Sequence, residues 1–202
     1  MIQLVEKAIR GDVDAFLELM ERNSLAMYKV ARGILNNDDD VADAIQDTIL
    51  NCFEKIHTLR SPQYFKTWMI RILINECNQI LGHYKRVNMP GELPEAAGQD
   101  ASLAEFEFKE MLGLVDEKYR VILILYYVEG FKLSEIAELL DLNENTVKTR
   151  LARARDQIRA AYLGENHKRL QTRGKADFGS GQGGISHEKT DRISKIRKYT
   201  TG

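Results

Sequence analysis

The chain has 202 residues, of which 44% are apolar and 29% are charged, and its formal net charge is −1. This length fits one or two domains with packed cores, and no apolar run is long enough to cross a membrane. Charges throughout residues 1–16 exclude a secretory signal peptide, and two cysteines are too few for a disulfide framework. We therefore expect a cytoplasmic protein in which Cys52 and Cys77 are buried thiols on apolar helical faces.

Charge is unevenly distributed along the chain, which the net value conceals. Residues 38–54 hold six acidic residues and no basic one, whereas residues 60–86 hold five basic residues and one acidic one. Residues 89–110 are acidic again, and residues 143–162 hold five basic residues against two acidic ones. Such alternation indicates a protein with more than one macromolecular partner.

The first part of the chain is predicted to be helical. Residues 2–24 suggest one or two short helices around a break at Gly11-Asp12, and residues 25–36 carry a second helical pattern. An aspartate-rich turn then precedes a helix over about residues 41–56, because carboxylates favour the positive end of the helix dipole. We predict that this helix buries one apolar face, formed by Ile45, Ile49, Cys52, Phe53 and Ile56.

The other face of the 41–56 helix is predicted to expose Asp43, Gln46, Asp47 and Leu50. Carboxylates and an amide around a leucine are often no more than a solvated surface. They can also form an acidic docking surface for a basic helix of a partner, and the residues alone leave both interpretations open.

A loop over residues 57–64, broken at Ser61-Pro62, leads into a helix over about residues 65–84. Here aromatic residues lie among basic and amide residues, a combination that binds single-stranded DNA through base stacking and phosphate contacts. The candidate residues are Arg60, Phe65, Lys66, Trp68, Arg71, Asn75 and Gln79. The alternative is that Phe65 and Trp68 fill the core, which for Trp68 is at least as good an interpretation.

Residues 89–102 contain two prolines and two glycines without apolar periodicity, which predicts a flexible acidic linker. Helices are predicted again over residues 103–114 and from about 117 to 127, and Asp116 can cap the second of them. The fold class is therefore all-α, with two small helical domains at residues 1–88 and 103–163.

Residues 132–163 predict two helices joined by a tight turn, the second of them strongly basic. Ser134 can cap the first helix and Asn143 the second, in which one buried stripe is predicted to contain Val147, Leu151, Ala154 and Ile158. A helix with small polar residues at its N-terminus fits the major groove of DNA, and basic residues further along can reach phosphates. The candidate DNA contacts are Asn145, Thr146, Lys148, Thr149, Arg150, Arg153 and Arg155. An ordinary amphipathic hairpin with a charged, solvated face is the alternative.

Residues 164–202 carry nine Lys or Arg against four Asp or Glu and few apolar residues, so we expect a disordered basic tail. It can be an additional DNA tether or an extension without function. Residues 179–184 match the dinucleotide-binding pattern GxGxxG, but no strand precedes them, so no such site is predicted.

Two blocks of sequence, in this order and at this distance, resemble one protein family. They are DDVADAIQDT at 39–48, FKTW at 65–68 and Arg71-Ile72, followed by Tyr119-Arg120, SEIA at 134–137 and TVKTRLARAR at 146–155. The chain resembles, over about residues 5–163, the extracytoplasmic-function (ECF, group IV) sigma factors of bacterial RNA polymerase.

The resemblance implies a protein that binds core RNA polymerase and directs it to a class of promoters. The 41–56 helix would dock on the clamp helices of the β′ subunit. The 57–64 loop and the following helix would bind the minus-ten element, and the helix from Glu144 would recognise the minus-thirty-five element. An anti-sigma factor is implied as a further partner.

The residues do not support enzymatic chemistry, because the histidines are scattered and neither metal-ligand spacing nor a phosphate loop is present. We therefore expect no cofactor, no metal and no small-molecule substrate. A helix-turn-helix regulator that binds DNA alone is one rival interpretation, but it would not need the acidic face or the aromatic-basic helix. A protein that only sequesters a partner is another, and Lys148, Arg150 and Arg153 argue against it.

Overall fold

A computed structural model describes residues 1–86, 108 and 111–176, with side chains as far as residue 161. Within these residues the secondary structure is helical and contains no strand, which confirms the all-α class. The predicted linker at 89–102 and residues 177–202 of the predicted tail lie outside the described residues.

The described residues before 87 form four α-helices, with two 3-10 turns, Ile56–Thr58 and Pro62–Tyr64, before the fourth. The helices are α1 (Ile2–Ile9), α2 (Val13–Ile34), α3 (Asp38–Lys55) and α4 (Phe65–Arg86). From residue 114 onward the described helices are α5 (Glu117–Leu123), which continues as a π-helical turn at Ile124–Val128, α6 (Leu133–Leu139) and α7 (Glu144–Ala176).

Local sequence signals account for where the first helices begin. Gly11 adopts a φ of +92°, a conformation that glycine reaches without steric cost, and this separates α1 from α2 as predicted. Asp12 then caps α2 by accepting a hydrogen bond from the backbone N–H of Ala15 at 3.0 Å. Asn37 caps α3 through the N–H of Asp39 at 2.8 Å. The two patterns predicted within residues 13–36 are one continuous helix, because no glycine or proline interrupts it before Gly33.

Helices α2, α3 and α4 pack against one another and form the core of the first half. Leu19, Met27 and Leu73 are fully buried there. Two polar side chains in this core are satisfied within their own helices, since Asn23 donates to the carbonyl of Leu19 at 2.7 Å and Thr48 to that of Ala44 at 2.6 Å. Near the C-terminal end of α4, the Tyr84 hydroxyl donates to Asp40 Oδ1 at 2.8 Å, and this hydrogen bond raises the pKa of the Tyr84 phenol.

The buried face of α3 differs in part from the prediction. Its buried residues are Val41, Ala44, Thr48 and Cys52, while Ile45 and Ile49 are only half-buried. Phe53 was predicted to be in the core but is 53% exposed, and its ring forms a T-shaped pair with the ring of Phe16 at a centroid distance of 5.2 Å. The prediction for Phe53 was wrong because it followed Cys52 directly into the core, whereas the buried stripe of α3 advances by three or four residues, through Val41, Ala44, Thr48 and Cys52.

Both cysteines are free and buried, as predicted. Burial raises the pKa of each thiol, Cys52 and Cys77, to about 12. Because the thiolate is the reactive species, we expect both to react slowly with a thiol reagent at pH 8 in the native protein and rapidly after unfolding in urea. An added surface cysteine, Glu21→Cys, is the positive control for reagent access. Rapid native labelling of either natural thiol would contradict the packing described.

In the second half, α6 and α7 meet at the predicted turn and α5 packs along α7. Asp141 holds the turn in the left-handed region, with a φ of +51°, which aspartate tolerates better than most residues. Asn143 accepts from the N–H of Asn145 at 2.8 Å, which confirms its predicted capping role. The predicted stripe is also confirmed, because Val147, Leu151 and Ala154 are buried and Ile158 is half-buried.

Two predicted caps and one predicted helix end are wrong. Ser134 lies inside α6 without a capping bond, and the start of α6 is instead satisfied by Glu135, which accepts from the N–H of Lys132 at 2.8 Å. Asp116 occupies the position before α5 but makes no capping bond, since its carboxylate is engaged by Gln157 and Lys118. Helix α7 continues to Ala176, whereas disorder was predicted from residue 164. Strong helix formers there outweigh the isolated glycines.

The two halves of the described chain are in direct contact. Helix α5 packs against α2, and α6 packs against α4. One hydrophobic cluster runs through both halves and includes Val30 and Leu73 from the first and Ile122 and Leu151 from the second. A smaller cluster, made of Val115, Tyr119, Leu123 and Ala154, lies between α5 and α7.

Candidate functional site

The outer face of α7 forms a continuous polar stripe, which we call the α7 stripe. Its members are the polar residues Asn145, Lys148, Thr149 and Arg153, with the small Ala152 among them, all exposed at positions i, i+3, i+4, i+7 and i+8 of the helix. The buried residues Val147 and Leu151 face the opposite way, so packing on α5 and α6 presents this stripe outward. The stripe contains four of the seven residues predicted to contact duplex DNA.

The other three predicted residues of this helix lie beside the stripe. Thr146 and Arg150 are half-buried at its edges. Arg155 is exposed, but it donates to the hydroxyl of Tyr127 at 2.5 Å, and its guanidinium lies 5.4 and 5.8 Å from the ring centroids of Tyr127 and Tyr126. Arg155 therefore fixes α7 against the end of α5, and less of its charge is free for a ligand.

Within the α7 stripe the polar groups are already oriented by local contacts. Lys148 Nζ lies 2.8 Å from Glu144 Oε1, an exposed pair that contributes little stability and leaves the ammonium accessible. Thr149 donates to the carbonyl of Asn145 at 2.9 Å. Arg153 Nη1 donates to the hydroxyl of Tyr119 at 3.4 Å, and this contact lowers the pKa of the phenol. The result is an N-terminal helical edge with two accessible cations and two small polar side chains.

The predicted acidic surface on α3 is present. Asp43, Gln46, Asp47 and Leu50 are all exposed, and Leu50 is 62% exposed. Phe53 lies three residues beyond Leu50, so it continues this surface by one helical turn. Sequence reasoning missed Phe53 because an aromatic residue on an amphipathic helix was assigned to the core. We call these five residues the α3 face.

The residues predicted to bind single-stranded DNA differ in their exposure. Arg71, Asn75 and Gln79 are exposed at successive i, i+4 positions of α4, and Arg60 is exposed on the preceding loop. Trp68 and Lys66 are half-buried.

Phe65 is only 2% exposed, so in this arrangement its ring is not available for stacking on a base. It instead supports Trp68, with 6.1 Å between the ring centroids. Tyr64, one residue earlier, is 57% exposed and was missed as an individual candidate. Tyr64 could have been identified from its position at the end of the 57–64 loop, which was predicted to bind the minus-ten element.

The described residues contain no cluster of histidine, cysteine, aspartate or glutamate that could hold a metal ion. In the same part of the chain, no helix is both long enough and apolar enough to span a membrane. The described residues do present three polar helical surfaces: the acidic α3 face, the α7 stripe with its two cations, and the face of α4 that carries Arg71, Asn75 and Gln79. The fold is that of an all-α protein with a helix-turn-helix, a motif typical of DNA-binding proteins.

Comparison with known proteins specifies the family. The chain matches the family described as Sigma-70 region 2 over residues 19–86 and the family described as Sigma-70, region 4 over residues 105–158. It is 33% identical over 142 residues to the RNA polymerase sigma factor SigV of Bacillus subtilis, an alignment that covers 69% of this chain and 86% of SigV. It is 26% identical over 174 residues to the ECF RNA polymerase sigma factor SigW of the same organism, covering 77% and 92% of the two chains.

Solved structures show the same fold. The structure of CnrH in complex with the cytosolic domain of CnrY matches with a TM-score of 0.59 and 24% identity, covering 81% of this chain and 97% of that one. The sigma factor RpoE of Bartonella quintana, in complex with the anti-sigma factor NepR, matches with a TM-score of 0.56 and 23% identity over 71% and 95% of the chains. The fold of two helical domains with a C-terminal helix-turn-helix is therefore confirmed.

The protein belongs to the RNA polymerase sigma factors and is of the ECF type. It accordingly binds core RNA polymerase and promoter DNA, and it directs promoter-specific initiation through the minus-ten and minus-thirty-five elements. Sigma factors are non-enzymatic transcription initiation factors.

Proposed function

We propose that this protein is a group IV sigma factor in which the α3 face, the exposed face of α4 and the α7 stripe have separate roles. Residues 1–88 would bind core polymerase and melt the promoter, residues 89–102 would connect the domains, and residues 103–163 would recognise the upstream element. The observation that carries the proposal is that the α3 face and the α7 stripe are exposed, opposite in charge and on different helices. It would act in the cytoplasm, where such factors act, without catalysing a reaction.

The α7 stripe is proposed to read the minus-thirty-five element. Asn145 and Thr149, at the start of α7, are short side chains with donors and acceptors that suit base edges in the major groove. Lys148 and Arg153 have accessible cationic groups that suit phosphates. Thr146 and Arg150 would contribute from the edges of the stripe. Arg155 would orient α7 through Tyr127 as well as attract the phosphate backbone.

The exposed face of α4 is proposed to bind the minus-ten element. Arg71, Asn75 and Gln79 would follow the phosphates and base edges of the promoter, with Arg60 and Lys66 supplying further positive charge. Trp68 and the exposed Tyr64 are the available stacking surfaces for unpaired bases. Phe65 would act from beneath, by holding the indole of Trp68 in place.

The α3 face is proposed to dock on the clamp helices of the β′ subunit. Reversing its charge through Asp43→Lys and Asp47→Lys is expected to weaken core-polymerase affinity at least about tenfold, because two complementary charges become repulsive. Since both side chains are exposed, the helical content and urea midpoint should stay unchanged. Affinity can be measured by fluorescence anisotropy of the labelled protein with purified core polymerase.

A variant with the same change of charge elsewhere is the control. Glu6→Lys on α1 and Glu21→Lys on α2 alter exposed carboxylates away from the α3 face, and they should preserve affinity. Equal affinity of the native protein and the Asp43/Asp47 variant would remove this docking surface from the proposal. Equal loss in both variants would indicate a nonspecific effect of net charge.

We also infer an anti-sigma partner, because two sigma factors of similar fold are known in complex with CnrY and with NepR. The function as a whole is tested by transcription of a panel of genomic promoter fragments with purified core polymerase. Promoter-specific transcripts should appear only when this protein is added. Sequence-specific DNA binding by the protein alone, without any transcript, would favour a stand-alone regulator instead.

A further inference from the structure

The first turn of α5 lies beside one edge of the α7 stripe. The backbone N–H of Asp116, just before α5, donates to Gln157 Oε1 at 3.0 Å. Arg153 Nη1 donates to the hydroxyl of Tyr119 at 3.4 Å. Because Arg153 and Gln157 are four residues apart, they project from the same side of α7. The polar groups at the start of α5 are therefore close to the edge of the stripe that carries Arg153.

Tyr119 connects Arg153 to a second cation, Lys118. Lys118 Nζ lies 4.9 Å from the centroid of the Tyr119 ring, whose hydroxyl accepts the hydrogen bond from Arg153. Tyr119 itself is only 4% exposed and belongs to the smaller hydrophobic cluster between α5 and α7. A side chain that is held by packing thus sets the positions of two cationic groups at the surface. We call Lys118, Tyr119 and Arg153 the α5–α7 edge.

The Lys118 ammonium is available to a ligand. Its side chain is 61% exposed, and its ion pair with Asp116 Oδ2, at 3.4 Å, is solvated on both sides. Exposed pairs of this kind contribute little stability, so the ammonium can exchange the carboxylate for an external anion at little cost. The Asp116 carboxylate keeps a second partner, the side chain of Gln157. The contact of Lys118 with the Tyr119 ring is compatible with a bound anion.

The chemistry of the α5–α7 edge fits the phosphate backbone of duplex DNA. Lys118 and Arg153 contact one ring, at 4.9 Å from its centroid and 3.4 Å from its hydroxyl, so the two cations lie near each other. Successive phosphates of one strand rise by about 3.4 Å along the duplex axis, and two adjacent cations can meet neighbouring phosphates. Because the edge continues the α7 stripe, that strand borders the major groove in which α7 is proposed to lie.

We propose that the promoter interface of the second domain extends from the α7 stripe onto α5, where Lys118 binds a backbone phosphate beside the minus-thirty-five element and Tyr119 positions Arg153 for a neighbouring phosphate. This inference rests on the proposed role of the α7 stripe, to which it adds one contact and one positioning residue. A phosphate contact carries no base information. Lys118 therefore strengthens binding to every dependent promoter alike and helps to fix the register of α7 in the groove.

Neutralising Lys118 tests the phosphate contact. Lys118→Gln is expected to reduce promoter affinity of the holoenzyme about tenfold at low salt, because a charge-assisted contact is lost. The slope of log affinity against log salt should become shallower by about one. Fluorescence anisotropy of a promoter duplex across a salt series measures both. Lys7→Gln, which removes an exposed lysine on α1, is the matched control and should change neither. A native salt slope in Lys118→Gln would overturn the contact.

Neutral phosphates in the DNA identify the partner of Lys118. In a set of promoter duplexes, each phosphate across and beside the minus-thirty-five element is replaced in turn by an uncharged methylphosphonate. One replacement should weaken binding of the native holoenzyme but leave binding of the Lys118→Gln holoenzyme unchanged. If the variant stays as sensitive as the native protein at every position, Lys118 contacts no phosphate. If Lys118→Gln instead weakens binding to core polymerase, Lys118 faces the polymerase and the proposal is wrong.

Tyr119→Phe tests the positioning of Arg153. Phenylalanine keeps the ring next to Lys118 and the packing between α5 and α7, but it removes the hydroxyl that accepts from Arg153. Promoter affinity is expected to fall about threefold with an unchanged salt slope, because both charges remain. In an Arg153→Gln background the same substitution should have no effect. A loss of equal size in both backgrounds would show that the hydroxyl acts through packing, and the positioning role would be wrong.

Comparison with the α7 stripe separates failure of this inference from failure of the proposed function. The double variant Lys148→Gln and Arg153→Gln is measured in the same salt series as Lys118→Gln. If only the double variant makes the salt slope shallower, α7 binds DNA but the interface does not extend onto α5. If neither variant changes the slope, the α7 stripe does not face phosphates, and its proposed role is wrong as well.

Discussion

Truncating Leu73 to alanine is expected to lower the free energy of unfolding by about 2–5 kcal/mol, whereas the same truncation at Leu50 should change it by less than about 0.5 kcal/mol. Leu73 is fully buried in α4, so its removal leaves a cavity between helices. Leu50 is 62% exposed on α3, so alanine there loses little packing. Urea unfolding followed by far-UV circular dichroism measures both values.

The two leucine variants should have the opposite ranking in polymerase binding. Leu50→Ala is expected to weaken affinity for core polymerase about tenfold, because a leucine buried at an interface contributes roughly 1.5 kcal/mol or more. Leu73→Ala should bind normally under conditions in which it remains folded. A large loss of stability in Leu50→Ala would show that α3 packs differently, and unchanged binding would show that its exposed leucine is not at the interface.

Replacing both accessible cations of the α7 stripe, through Lys148→Gln and Arg153→Gln, is expected to reduce promoter affinity of the holoenzyme about a hundredfold at low salt. Each charge-assisted contact to phosphate is worth about 1.5 kcal/mol, and 1.4 kcal/mol corresponds to a factor of ten. The dependence of log affinity on log salt should also become shallower by about two, one for each lost phosphate contact. Filter binding or anisotropy across a salt series measures both.

An equal change of charge on α1 provides the control for this experiment. Lys7→Gln and Arg10→Gln remove one lysine and one arginine from exposed positions outside the proposed DNA-binding surfaces. Promoter affinity and its salt dependence should remain near native values in that variant. If the α7 variant keeps the native salt slope, Lys148 and Arg153 do not contact phosphates, and α7 is oriented differently on the promoter.

Helix positions and the helix-turn-helix could be predicted because their signals are local. Apolar residues recur every three or four positions, and Asp12 and Asn143 cap the helices that follow them. The exposed side of α7 could be predicted for the same reason, since Val147 and Leu151 specify which side of the helix is buried. Such signals involve residues within about one helical turn of each other.

Exposure of individual aromatic residues could not be predicted, because it depends on neighbours distant in sequence. Phe53 is exposed although it was predicted to be buried, and Phe65 is buried, which is one of the two interpretations that the sequence left open. The ion pair between Lys66 and Glu129 was also beyond prediction, since the two residues lie 63 positions apart in the chain. Nothing in the sequence around either residue indicates that the two are in contact. Only the packing of α6 on α4 brings them together.

The close approach at Gly33 has a consequence for how such a factor could change over evolutionary time. A Cβ atom at position 33 would lie 2.5 Å from Ile124 Cδ1 and 3.3 Å from Val121 Cα, so the packing of α2 on α5 requires a residue without a side chain. The α3 face and the α7 stripe lie on other helices. Selection at position 33 therefore acts on the packing of the two halves and is separate from selection on promoter specificity.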